Sequence, residues 1–228
     1  MSILTRIFGP RIPNEELRAN PSRYALPTIT LSLARICLLA SLFLPYWHME
    51  LKAPQYPKGL HLTAFVNRVE GHVREINGLN HYIGMRKIDD AAKLEKALSV
   101  WGIIAMVLLV EGATFIHSRW AAVLVLPAIF FPAFFLLDMH WWMKDFGLNL
   151  DPRAPLSSSV KPFVPTILGV GTIGQFKTIA QMGWGLYLAW AASGLSLLAL
   201  VFHRIAYKPL FERASKAARR REGALCAA

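Results

Sequence analysis

Four apolar runs decide what this chain can become. They cover residues 26–47, 97–116, 120–138 and 183–203. Each approaches the roughly 20 helical residues needed to cross about 30 Å of hydrocarbon. In lipid the backbone must satisfy its own polar groups. Runs this long do so as helices, whereas barrel strands alternate over about 10 residues. The expected class is an all-α membrane protein of four transmembrane helices. A chain of 228 residues that is 54% hydrophobic and 17% charged has the composition for it.

Four spans put both termini on one side of the membrane. Residues 1–25, 117–119 and 204–228 then form one side, and the loops 48–96 and 139–182 the other. Arg6, Arg11, Arg18 and Arg23 precede the first span. Arg204, Lys208, Arg213, Lys216, Arg219, Arg220 and Arg221 follow the last. Positive charge next to span ends marks the cytoplasmic side, so both termini are expected there and both long loops in the periplasm of a bacterial inner membrane. The net charge of +11 therefore points to anionic lipid at the basic tail rather than to nucleic acid. The first run starts too late and runs too long for an ordinary cleaved signal peptide, and reads as an uncleaved anchor. Cys37 inside the first span and Cys226 in the tail cannot pair, and no c-type haem motif occurs.

The loops carry their own patterns. Gly59–Val66 and His72–Ile76 alternate as strands do, with Val69-Glu70-Gly71 as a turn, which predicts a β-hairpin in a small periplasmic cap. Asp89–Lys96 reads as a helix entering the second span, with Asp89 or Asp90 in a capping position. Pro152–Gly174 reads as extended chain lying against the first loop. Tyr46-Trp47-His48-Met49 and Met139-His140-Trp141-Trp142, ending the first and third spans, form a weak internal echo. Pseudo-symmetric hairpins and repeated use of interfacial aromatics explain it equally well.

A charge inside a membrane costs about 2.5–3.5 kcal/mol on insertion scales, so it needs a partner. Arg35 lies near the middle of the first span and Glu111 near the inner end of the second. They are expected to form an ion pair that either pins two helices or serves a quinone or proton site. Asp138 either orients His140 or is an ordinary interfacial carboxylate.

Topology places five of seven His and five of seven Met on the outer side: His48, His61, His72, His81, His140, Met49, Met85, Met139, Met143 and Met182. Imidazole with thioether is a copper ligand set. His48, Met49, Met139 and His140 sit at two span mouths. His81 and Met85, spaced i, i+4, would share a helix face. These six are the candidate metal ligands, while His61 and His72 are weaker because a hairpin would spread them. Haem b is the weaker cofactor reading, pairing His117 with His203 or His48 with His140, since all four lie at span ends where haem is poorly buried. Gly169–Gly174 matches a dinucleotide glycine pattern but lacks a βαβ setting. No hydrolase or P-loop motif occurs. Asn80-His81-Tyr82 following the Asn77-Gly78 turn signal either knits the loops together or forms a site.

The run Leu51–Leu60, followed by Glu75-Ile76-Asn77-Gly78-Leu79-Asn80-His81-Tyr82-Ile83-Gly84-Met85 and by Pro165–Gly169 with Gln175-Phe176, resembles a group of poorly characterised multi-span bacterial membrane proteins. These are associated with gene neighbourhoods for nitrous oxide reductase and copper maturation. The resemblance implies an accessory protein that binds or passes copper to a periplasmic oxidoreductase, or scaffolds its assembly. It also implies a partner protein in the membrane or periplasm. The alternatives are a haem- or quinone-linked subunit of a respiratory complex and a purely structural subunit. Enzymatic activity is not expected.

Overall fold

A computed structural model describes residues 8, 13–173 and 176–226, without the side chains of 173, 214 and 218–226. Arg6, Arg11, Gly174 and the side chains of Arg219, Arg220, Arg221 and Cys226 therefore lie outside the described residues. The helices are α1 (Asn14–Ala19), α2 (Pro21–Ser41), α3 (Val73–Ile83), α4 (Lys93–Phe115), α5 (Trp120–Leu148) and α6 (Trp184–Cys226). The strands are β1 (Trp47–Ala53), β2 (Tyr56–Ala64), β3 (Val69–Gly71), β4 (Gly169–Ile173) and β5 (Phe176–Met182). Helices α2, α4, α5 and α6 are long and apolar enough to cross a membrane. Their exposed residues are large and apolar, among them Ile36, Leu108, Phe130, Phe134 and Val201.

The chain divides into two units, and each long helix contributes to both. One unit holds residues 1–38, 104–130 and 190–228; the other holds 39–103 and 131–189.

In the first unit, Arg35 and Glu111 are ion-paired, and Arg35 Nη2 also donates to Ser32 Oγ at 2.6 Å. A proline in α6 is accommodated by a side chain of a neighbouring helix, the usual solution in lipid. Pro209 of α6 lacks the N–H that would reach the Ile205 carbonyl, and Arg23 Nη2 donates to that carbonyl instead, at 2.6 Å. Ser193 Oγ of α6 donates to Ile129 O of α5 at 2.7 Å, a further bond between long helices. Arg213 pairs with Glu16 of α1, whose other oxygen accepts from the Tyr24 hydroxyl.

The second unit is built on an open antiparallel sheet of order β3-β2-β1-β5-β4. The predicted hairpin is thus part of a five-stranded sheet, and its limbs are displaced. β2 covers most of Gly59–Val66. The supposed turn Val69-Glu70-Gly71 is strand β3, the chain reverses at Phe65–Arg68, and Val73–Ile76 opens helix α3. The reason is the longer pattern: Ile76, Asn80 and Ile83, spaced i, i+4, i+7, form one buried helical stripe. The second loop supplies β4 and β5, and β5 pairs with β1 from Trp47↔Met182 to Lys52↔Lys177.

Several span ends move as well. α2 stops at Ser41, because Pro45 disfavours a helical Leu44 and the chain turns out to β1. Tyr46 and Trp47 are then fully buried rather than interfacial. Tyr46 packs between Phe131 and Phe135 and donates to Ser41 Oγ at 2.8 Å, and burial pushes its hydroxyl pKa up to about 12. α5 runs ten residues past 138, since Met139, Met143 and Phe146 continue a stripe against the sheet unit. The echo between the first and third spans fails accordingly: one copy is strand and the other helix. α4 begins at Lys93, not Asp89. The residues before it form a 3-10 turn, Ile88–Asp90, followed by Ala92 at φ 49°. Asp90 caps nothing, and its bond to Lys93 holds its carboxyl below the usual range.

Candidate functional site

Helix α3 and the chain that leaves it form the most closely tied part of the second unit. The helix ends in a Schellman turn, with Met85 N–H donating to Asn80 O at 2.8 Å and Gly84 N–H to His81 O at 3.4 Å. Gly84 takes φ 82°, and a Cβ there would stand 2.6 Å from the Asp151 carbonyl, so only glycine fits. Asn77 uses both ends of its amide, accepting from Ile88 N–H and donating to Asp89. Asn80 Nδ2 donates to the Arg86 carbonyl. Arg86 pairs with Asp145 of α5 and lies 4.3 Å from the Phe146 ring centre. From the second loop, Asp151 N–H donates to Gly84 O and Leu156 N–H to Tyr82 O. The asparagines thus brace the first loop, and Arg86 with the Gly84 and Tyr82 carbonyls joins it to the second.

What the knot leaves free is His81 and Tyr82. Both are exposed, with rings 6.0 Å apart, and Tyr82 is 54% accessible. Tyr82 also edges a shallow groove of about 300 Å³ lined by Gln55, Tyr56, Leu79, Ile83, Leu156 and Phe176. A held backbone, an exposed Tyr–His pair and an apolar recess are the features by which protein surfaces recognise partners. The chemistry available is recognition; nothing in the groove pairs a nucleophile with a base. No protein-family model and no curated relative matches this chain.

Of the six predicted metal ligands, Met49 and Met139 share an apolar cluster and the other four lie apart from it. Strand alternation turns His48 and Met49 to opposite faces of the sheet. His48 Nδ1 lies 3.2 Å from Thr63 Oγ1, while Met49 packs on the apolar cluster of Trp47, Leu51, Leu60 and Leu62. Met139 packs against the same cluster, but His140 is exposed. Asp138 does not orient His140, because helix residues two apart face different ways. His81 and Met85 share no helix face, since the helix has ended before Met85. Among the described residues, no three His, Cys, Asp or Glu side chains come together as a metal site.

His61 and His72 are closer than a hairpin would leave them, with ring centres 6.0 Å apart. However, His72 Nδ1 accepts from His61 N–H at 3.0 Å, which puts its own proton on Nε2 and leaves no nitrogen lone pair for a metal. The bond ties β2 to the start of α3.

In the first unit, the histidines of the haem reading are neighbours. The His117 and His203 rings are nearly parallel, 6.4 Å apart. The Tyr207 ring stands 4.3 and 4.7 Å from them, which leaves no room for a porphyrin between, and His203 Nε2 is 3.0 Å from Ile116 O. Burial, and then His203, lower the His117 pKa, opposed by a bond to the Phe8 backbone. A histidine with a lowered folded pKa binds fewer protons than the unfolded chain. Its stabilisation is full above the unfolded value, about 6.5, and is lost as pH falls below it. The hydrogen-exchange protection factors at Ile116–Trp120 should therefore fall between pH 7 and pH 5.5. His117→Phe should weaken that dependence, with the neighbouring His203 left in place, and an unchanged pH profile in the variant would disprove the assignment.

Proposed function

We propose that this chain is a non-enzymatic accessory protein of a bacterial inner membrane that docks a periplasmic oxidoreductase and scaffolds its assembly. In this reading both termini are cytoplasmic and the sheet unit is a periplasmic cap. The basic residues Arg204 and Lys208 of α6 meet anionic lipid headgroups. The observation that carries the reading is the exposed His81–Tyr82 pair beside an apolar groove, on a backbone held by both loops. The resemblance of the same segment to nitrous oxide reductase neighbourhood proteins supplies the partner class.

Copper transfer is the second reading. Its support is that Met49, Met139 and Met143 all lean on one apolar cluster under the sheet, and thioethers are soft donors that suit Cu(I). The histidines contribute little to it.

The test is purification of the full chain from its own membranes, with quantification of the oxidoreductase that accompanies it. Tyr82→Ala should reduce the copurifying enzyme by about tenfold or more, the size of an aromatic hot spot. Equal recovery with the variant would refute docking at α3. Cu(I) binding that disappears in Met139→Leu/Met143→Leu, with recovery of the enzyme unchanged, would favour the second reading.

A further inference from the structure

The sheet has two edges, and they are built differently. β3 is three residues long, carries Glu70, and has Arg68 paired to that carboxylate. Short, charged edges resist the addition of another strand. β4 is five residues, Gly-Val-Gly-Thr-Ile, with no charge and no proline. In a strand bonded on one side only, backbone N–H and C=O groups point outward along the free edge. Gly169, Val170 and Thr172 are exposed, Val170 to 59%.

The face beside this edge has a definite chemistry. Val170 is in register with Ile179, and Thr172 with Lys177. Lys177 is in turn in register with Lys52 of β1. Lys52 pairs with Glu50, whereas Lys177 is exposed and has no ionic partner among the described residues. A strand added to β4 would place one side chain next to Val170 and another, two positions away, next to Thr172. The second lies within reach of the long Lys177 side chain across the short threonine.

We propose that the β4 edge receives an extended segment of a partner protein by strand addition, the segment carrying an aliphatic residue and, two positions away, a carboxylate. Backbone bonds to Gly169–Ile173 supply the affinity, and the Val170 and Lys177 positions read the side chains. Pairing of two copies through β4 is disfavoured, since β4 has no carboxylate to offer Lys177. The site adjoins the α3 groove at Phe176 but uses none of its lining side chains, and it stands whether or not that groove docks an oxidoreductase.

The full chain in lipid nanodiscs tests this with two labelled synthetic peptides. One alternates Thr with Val and Glu two positions apart; the other has Lys in place of Glu. The Glu peptide should bind better by about threefold or more, a charge effect weakened because β4 stands between Lys177 and the added strand. Lys177→Glu, an exposed change that leaves the fold intact, should reverse the preference. Amide exchange across 169–173 should slow when the Glu peptide is added. Equal binding of both peptides, no binding of either, or an unreversed preference in Lys177→Glu would overturn the proposal. So would efficient disulfide formation between two copies of Val170→Cys, which would show self-pairing instead.

Discussion

Glu111→Leu should lower the stability of the protein by about 3–5 kcal/mol, the usual loss when one partner of a buried pair is removed. The side chains of Arg35 and Glu111 are 18% and 44% exposed, and in a membrane that exposure is to lipid, so water screens little. The variant leaves Arg35, the more buried of the two, with the neutral acceptor Ser32 Oγ among the described residues. A guanidinium cannot discharge by losing its proton, whereas a carboxylate can gain one. Arg35→Leu should therefore be the milder single change. Arg35→Leu/Glu111→Leu should recover most of the loss, because two leucines suit lipid better than one charge. Thermal unfolding in mild detergent reads all three. A double variant no more stable than Glu111→Leu would show that the side chains act through packing and not as a pair.

The second large effect is expected at Gly183, where β5 passes into α6. Gly183 N–H donates to Tyr46 O and Gly185 N–H to Pro45 O, both at 2.8 Å. A Cβ on Gly183 would stand 2.2 Å from Pro45 O and 2.7 Å from Pro45 C. These are backbone atoms, so no side chain can swing aside, and relief must break one of the two bonds. Gly183→Ala should cost about 3 kcal/mol, at the upper end of overpacking, or about 6–12 °C in the unfolding midpoint. Gly194 in α6 is the control, because a Cβ there meets nothing within 4 Å. Gly194→Ala should be neutral or stabilise by up to about 1 kcal/mol through helix propensity. If Gly183→Ala and Gly194→Ala behave alike, the close approach at Pro45 contributes nothing.

The span ends show where sequence reading stopped short. Tyr46 and Trp47 have the composition of a membrane border, but aromatics are also good strand formers, and only the pairing of Trp47 with Ala64 and Met182 distinguishes the two. His140, Trp141 and Trp142 suggested the same border on α5. The Met139–Met143–Phe146 stripe was present in the sequence, and a search for i, i+4, i+7 spacing beyond the apolar run would have found the longer helix. The candidate metal ligands are dispersed for a related reason. Proximity in sequence is not proximity in space: His48 and Met49 are turned apart by strand alternation, and His81 and Met85 are separated by the end of their helix. The Asn77–Met85 motif was legible as chemistry; whether it knitted the loops or formed a site depended on partners such as Asp145, Asp151 and Leu156, about 60 to 75 residues away along the chain.

Sequence alone determined the four long apolar helices, because the cost of unpaired backbone in lipid leaves a run of some 20 apolar residues few other conformations. The intramembrane pairing of Arg35 with Glu111 was also expected from sequence, because an isolated charge there is too costly. Only the tertiary structure decided the sheet. Its central ladder joins residues 47–52 to 177–182, and no local pattern encodes a pairing over that separation. That ladder sets which of the outer histidines, methionines and lysines share a face, and it leaves β4, rather than the loop histidines, as the open edge.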